Sequence, residues 1–220
     1  MKRITKTVEP KNLIEYRNKF SKEEIKNSDI YSGYIHKTKE DCYRDNENLR
    51  KILLEEQGYI CCYCMSRISC DISKLEHFKP QSNYKSLQLD YKNLFVACKG
   101  GEGSQEQFCD TNKGNEELKN INLLEDIDNK IIYKKSRKEI VIDSEDKDTK
   151  DDLNDILNLN AKILKENRKE KFDEIMQKLK LKNFNKNYIQ KTSKFFQTKT
   201  EGQYPEFCEM IVYYLEKKLR

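Results

Sequence analysis

The chain has 220 residues, 37% of them charged and 36% hydrophobic, with no tryptophan; that is length for one compact domain, or a small core with appended helices, whose lean interior calls for outside help in folding. The 43 Lys and Arg against 38 Asp and Glu leave a net charge of +5, so the total says little about partners and the clustering of bases says more. No stretch approaches the roughly 18 apolar residues of a bilayer span, and the opening Met1-Lys2-Arg3-Ile4-Thr5-Lys6 has no apolar run to serve as a signal peptide, which predicts a cytoplasmic protein with no membrane role and reduced thiols.

In chain order, residues 1–40 are basic and polar, with Leu13, Ile14, Tyr16 and Phe20 tracing an amphipathic face; this predicts a short arm and a helix. Between 41 and 57, Leu49, Ile52 and Leu53 recur at helical spacing, and Gly58 stands where a left-handed cap would end the helix. Tyr59-Ile60-Cys61 reads as a short strand, 75–78 as a second, 81–90 as a loop, and 94–97 as a strand ending on Cys98. Gly100, Gly101 and Gly103 make 99–107 rich in turns. Cys109 then opens a short helix carrying Asp110, Asn112 and Lys113 in its first turn. Beyond it, 131–133 and 139–142 flank a polar turn as a hairpin, the acidic run 143–152 reads as an exposed linker, and apolar residues between Leu153 and Leu179 fit one or two amphipathic helices. A last helix is expected to begin at Pro205, with Phe207, Met210, Ile211, Tyr214 and Leu215 on its buried side. The fold class is thus α+β and mainly helical, in three parts: 1–57, 58–120 and 121–220.

The middle part carries the chemistry. Cys61-x2-Cys64 joined to Cys98 and Cys109, which ten residues separate, makes a four-thiolate zinc site that would brace a segment poor in apolar residues. Ordinary buried cysteines would have apolar neighbours, whereas these are flanked by Tyr, Met, Lys, Gly and Asp. Cys62 competes with Cys61 for the first position, but a bite with one intervening residue is short. Cys42, Cys70 and Cys208 have no partner at ligand spacing and read as plain structural thiols.

Within the same span, Glu76-His77-Phe78-Lys79-Pro80 and Cys109-Asp110-Thr111-Asn112-Lys113-Gly114 bring an imidazole, carboxylates and amides together. His77 suits a general base at neutral pH. Glu76 suits a magnesium or manganese ion, with Asp110 and Asn112 completing the shell. Asn93, 16 residues after His77, is a positioning residue that bridges the loop backbone, and Lys113 either meets a phosphate or stabilises the fold. The bland alternative is a satisfied core histidine beside a surface acid, and the position of His77 between the thiol pairs argues against it. His36 reads as surface.

At these residues the chain resembles the HNH endonuclease superfamily, specifically the PtuB-like nucleases found with retrons and in the Septu antiphage system. The resemblance extends over Gln57-Gly58-Tyr59-Ile60-Cys61-Cys62-Tyr63-Cys64, the Glu76 to Pro80 run, Asn93-Leu94, Cys109 to Gly114, an early Pro10, and Ile156-Leu157-Asn158-Leu159-Asn160. It implies a ββα-metal finger with a structural zinc knuckle, flanked by N- and C-terminal helices. It also implies a metal-dependent nuclease, DNA before RNA as substrate, working beside an ATPase of the PtuA type. One departure is that the last histidine of the HNH pattern is missing, Asp110 or Asn112 standing in the helix instead; the resemblance favours Asn112 as the ligand, since its spacing from Lys113-Gly114 is similar to that of active members.

Between 178 and 199 lie seven lysines and no acids, interleaved with Phe184, Tyr188, Phe195 and Phe196. Lys186, Lys191 and Lys194 there, with Lys79 and Lys113 near the thiols, are the candidate phosphate contacts; a solvated helix face or a docking face for the ATPase are the other readings. A toxin-like RNase acting on tRNA and an inactive zinc-stabilised binding module are the competing functions.

Overall fold

The computed structural model describes residues 1–38, 42, 48–125 and 127–219, apart from the side chains of 36–38 and 128. The chain is α+β and mainly helical, with two small antiparallel sheets. His36, expected at the surface, has its side chain outside the described residues. One continuous apolar core runs from Met1 and Leu13 through Leu53, Val96 and Leu157 to Leu215. Among the described residues no helix is long and apolar enough to cross a membrane.

Where one N-terminal helix was expected there are three: α1 (Lys11–Arg17), α2 (Lys22–Asn27) and α3 (Ile30–Thr38). The extra break has a local cause, because Ser21 and Glu24 form a reciprocal capping box that starts α2 afresh. The arm before them is clamped: the Ile4 amide donates to the Leu123 carbonyl at 2.8 Å, and Lys6 pairs with the buried Glu56 at 3.0 Å.

Helix α4 (Leu49–Gln57) starts under the Asn48 side chain, which accepts from the amides of Arg50 and Lys51, and ends on Gly58 at φ +64°. A Cβ there would lie 2.5 Å from the Tyr204 ring, so both conformation and space require glycine. The following strand expected at 59–61 is absent as such. Ile60 makes only an isolated bridge to Arg67, and the chain turns on itself, with the Cys61 amide on the Ser66 carbonyl and the Met65 amide on the Cys61 carbonyl. The reason is geometric: in a strand, residues three apart point to opposite faces, and only a turn lets Cys61 and Cys64 point the same way.

Strands β1 (Ser73–His77) and β2 (Leu94–Cys98) pair antiparallel, His77 opposite Leu94 and Ser73 opposite Cys98; β1 starts two residues before the expected strand and ends one before. Helix α5 (Asp110–Lys113) follows Cys109. The second hairpin is β3 (Ile132–Lys135) with β4 (Ile140–Asp143).

The acidic run after β4 is not a linker. It forms α6 (Lys147–Asp151) and a π-helical turn, Asp152–Ile156. Asp152 is fully buried and its carboxylate accepts from the amides of Lys119, Asn120 and Ile121 at 2.8–2.9 Å, so an acid that looks like solvent-facing charge clasps a neighbouring loop. Helices α7 (Lys162–Leu181), α8 (Lys186–Gln197) and α9 (Cys208–Leu219) close the core. In α7 the buried residues Leu164, Arg168, Phe172, Ile175 and Leu179 follow the helical period. Arg168, 2% exposed, spends its guanidinium on the carbonyls of Ile140 and Leu159 and the side chain of Asn160. Helix α9 begins three residues after Pro205, because Phe207 takes a left-handed backbone at φ +52° while its amide donates to the Met65 carbonyl at 3.1 Å.

Cys42 and Cys70 form a disulfide, with Cα atoms 6.0 Å apart, which corrects their reading as unpaired thiols. They are 28 positions apart in sequence, a separation that carries no pairing signal. Cys208 is a buried free thiol, as expected.

Candidate functional site

Cys61 and Cys64 from the turn, Cys98 from the end of β2 and Cys109 from the residue entering α5 converge, all four sulfurs within 4.8 Å of one another. The Cys61–Cys109 and Cys64–Cys98 separations are 3.9 and 3.8 Å. A tetrahedron with metal–sulfur bonds of about 2.3 Å has edges of about 3.8 Å, so the thiols stand as four ligands of one ion such as zinc would. Cys62 is outside the quartet. Burial resists ionising Cys61, yet the surrounding thiols of Cys109, Cys62, Cys64 and Cys98 hold it well below the ordinary thiol value, while burial and then Cys61 push Cys109 up. Thiols bind a divalent cation as thiolates, so an ion entering the quartet would displace their protons.

The strand alternation of β1 sends Glu76 and His77 to opposite faces. Glu76 is 2% exposed; Tyr63 Oη donates to its Oε1 at 2.6 Å, and Lys113 Nζ lies 2.9 Å from the same oxygen. Burial, then the hydrogen-bonded Asp110 carboxyl beside it, raises Glu76 well above the usual carboxylate range against the pull of Lys113. Lys113 supplies one compensating positive charge beside the two adjoining carboxyls. Asp110 is held from its other side by Lys74 Nζ at 3.0 Å. No other group of three or more His, Cys, Asp or Glu converges like the thiols among the described residues, so an ion beside Glu76 and Asp110 would complete its shell with water and phosphate, as magnesium does.

His77 Nε2 lies 3.0 Å from the Gln88 carbonyl. A carbonyl only accepts, so Nε2 carries the proton and the lone pair sits on Nδ1, which has no hydrogen-bond partner among the described residues. Burial, opposed by the Gln88 carbonyl and joined by the Lys113 charge, holds the imidazole below its ordinary value, so the ring is neutral at pH 7. The Tyr31 ring stands edge-on to it at 4.5 Å. Burial raises the Tyr31 hydroxyl, with Asp110 and Glu76 adding to the effect against Arg50, which puts Tyr31 within electrostatic reach of both carboxylates.

Asn93 bridges the loop as expected: its Oδ1 accepts from the Lys79 amide at 2.7 Å, and its Nδ2 donates to the carbonyls of Lys79 and Leu87 at 3.0 and 3.2 Å. It touches His77 only through that loop. Asn93→Ala takes the side-chain partner from three part-buried backbone groups and is expected to cost about 1–3 kcal/mol, read as a lower urea midpoint at unchanged m-value; a midpoint equal to wild type would contradict this bridging role.

Two residues fall elsewhere than expected. Asn112, favoured as the ligand, turns away and donates to the carbonyls of Asp155 and Ile156 at 3.1 and 3.0 Å, leaving Asp110 as the residue of α5 that meets Glu76. Lys113 is 1% exposed and its Nζ also donates to the His77 carbonyl at 3.0 Å; it braces β1 against α5 and cannot meet a phosphate from there. Lys79 is engaged with Glu117 at 3.0 Å.

Lys180, Lys182, Lys186, Lys191 and Lys194 are exposed and form no ion pair among the described residues. Phe184 and Phe195 beside them are 44% and 49% exposed, whereas Phe196 is buried and Tyr188 partly so. Lys199 is taken up otherwise, donating to the carbonyls of Glu55 and Glu56 at the end of α4. Sequence reasoning missed Gln88, Tyr31 and Tyr63, all of which act on His77 or Glu76 through contacts distant in sequence. Comparison with models of known protein families and with curated proteins gave no match.

Proposed function

We propose that the chain is a metal-dependent endonuclease of the HNH type, with β1, β2 and α5 as its ββα-metal finger and zinc, matched to soft thiolates, in the Cys61, Cys64, Cys98 and Cys109 site. The observation that carries the reading is the state of His77: neutral, with Nε2–H spent on a carbonyl and the Nδ1 lone pair free, on the strand that also bears one of two adjoining carboxylates. In this reading Nδ1 takes the proton from the attacking water. Asp110 and Glu76 would hold magnesium or manganese, which would supply charge compensation for the phosphodiester and its leaving oxygen. Lys113 and Tyr63 fix Glu76, and Asn93 fixes the loop that aims His77. The exposed lysines of α8 with the half-exposed Phe184 and Phe195 offer charge and stacking surface to nucleic acid, DNA before RNA. From the resemblance to PtuB-like nucleases we further infer a cytoplasmic effector of bacterial antiphage defence beside a PtuA-type ATPase.

A second reading, an inactive zinc-braced binding module, is favoured by one observation: Glu76 is already paired with Lys113 and closed off from solvent. Incubation of plasmid, single-stranded DNA and tRNA with wild type, Asp110→Ala and Asn112→Ala, with magnesium or manganese added or withheld, separates them. Ion-dependent DNA cutting that falls at least about 100-fold in Asp110→Ala and stays within about threefold in Asn112→Ala is the expected result. Binding without cutting of any substrate overturns the nuclease reading, and cutting confined to tRNA replaces it with an RNase.

A further inference from the structure

Gln88 lies in the polar loop between β1 and β2 and is fully buried. Its side chain is saturated from one direction. Oε1 accepts from the amides of Ile30 and Tyr31, both at 3.0 Å, and from Gln81 Nε2 at 3.4 Å. Nε2 donates to the carbonyls of Ile25 and Ser28 at 2.6 and 2.9 Å. All four backbone partners belong to the end of α2, the start of α3 and the corner joining them. The backbone of the same residue points the other way, its carbonyl accepting from His77 Nε2. Tyr31, whose amide is one of those held, places its ring against His77 at 4.5 Å and 74°.

One residue therefore fixes the imidazole twice, directly through its carbonyl and indirectly through Tyr31. A buried amide with every valence used is costly to disturb, since each group left unpaired costs about 1–3 kcal/mol, and an aromatic edge contact orients a ring beyond what apolar burial does. We infer that Gln88 is a positioning residue for His77 and that the α2–α3 corner is, through it, a working part of the site and not an appendage of the finger. The inference rests on His77 acting as the base, but the geometry it concerns exists whether or not the protein cuts nucleic acid.

The test uses the full-length zinc-loaded protein without magnesium, as wild type, Gln88→Met and Gln88→Glu. Gln88→Met keeps the length of the side chain and removes every polar contact; Gln88→Glu keeps the acceptor for Ile30 and Tyr31 and removes only the donors, and it decides the matter if Gln88→Met loses helix signal or zinc. NMR in water reads two signatures, with the His77 resonances identified as those lost in His77→Ala. The Nε2 proton, protected on its carbonyl, is expected as a ring N–H resonance in wild type and is expected to be lost to solvent exchange in the variant. The carbon-bound ring protons are expected to lose the ring-current shift that Tyr31 imposes. Where wild type cuts, kcat is expected to fall about 10- to 100-fold with KM within about twofold, as for a misplaced reacting group. A folded Gln88 variant that keeps both NMR signatures overturns the inference. Wild type that fails to cut overturns the nuclease reading while leaving the NMR comparison decisive for Gln88.

Discussion

His77→Ala is expected to lower ion-dependent cleavage of nucleic acid by at least about 100-fold, the contribution of a positioned general base, while zinc content and helix signal stay at wild-type levels. The separation of effects follows from where the ring sits. His77 gives the fold one hydrogen bond to the Gln88 carbonyl and one edge contact with Tyr31, together about 1–2 kcal/mol. No thiol of the quartet touches it, and Lys113 reaches the His77 carbonyl, which alanine retains. Initial rates on plasmid, measured with the melting temperature of both proteins, decide the point: cutting within about threefold of wild type removes His77 from the chemistry.

Cys109→Ser is expected to have the largest structural effect of any single substitution. The four sulfurs join a turn, the end of a strand and the entry to α5, and Cys109 sits there with φ +55°, its amide on the Leu157 carbonyl at 2.8 Å. Structural zinc sites supply on the order of 10 kcal/mol in small domains, so loss of one thiolate is expected to cost more than about 3 kcal/mol and to lower bound zinc well below one per chain. Cys62→Ser is the matched control, since Cys62 is equally buried but outside the quartet, and it is expected to keep its zinc. A Cys109→Ser protein that binds zinc stoichiometrically and melts with wild type would show that the cluster is not a metal centre.

The quartet is readable from sequence because a two-residue spacing is set by the bite of a single ion, and the cap at Gly58 because only one backbone conformation ends a helix that way. What escapes the sequence are choices made by partners far along the chain. Asp110 and Asn112 are equivalent on spacing alone; the π-helical turn at 152–156, which claims the Asn112 amide, breaks the tie. The run 143–152 has the composition of a linker, yet three backbone amides waiting at 119–121 make Asp152 a buried fastener. Gln88 sits in a stretch of polar residues where nothing local distinguishes it, and the four backbone groups its side chain holds are 57 to 63 positions away. The disulfide of Cys42 and Cys70 escapes for the same reason. The break between α1 and α2 is set by a cap, the reciprocal pair of Ser21 and Glu24 that starts α2.

Strand β2 carries a cluster thiol at one end, Cys98, and at the other Leu94, the register partner of His77. Scaffold and chemistry therefore hang on the same five residues. On the proposed reading, a broad chelator would report the collapse of a support and the withdrawal of a reagent as one loss of signal, and dose alone would not tell them apart. Order of addition would: magnesium would restore an intact hairpin at once, whereas a hairpin that had shed zinc would first have to be rebuilt.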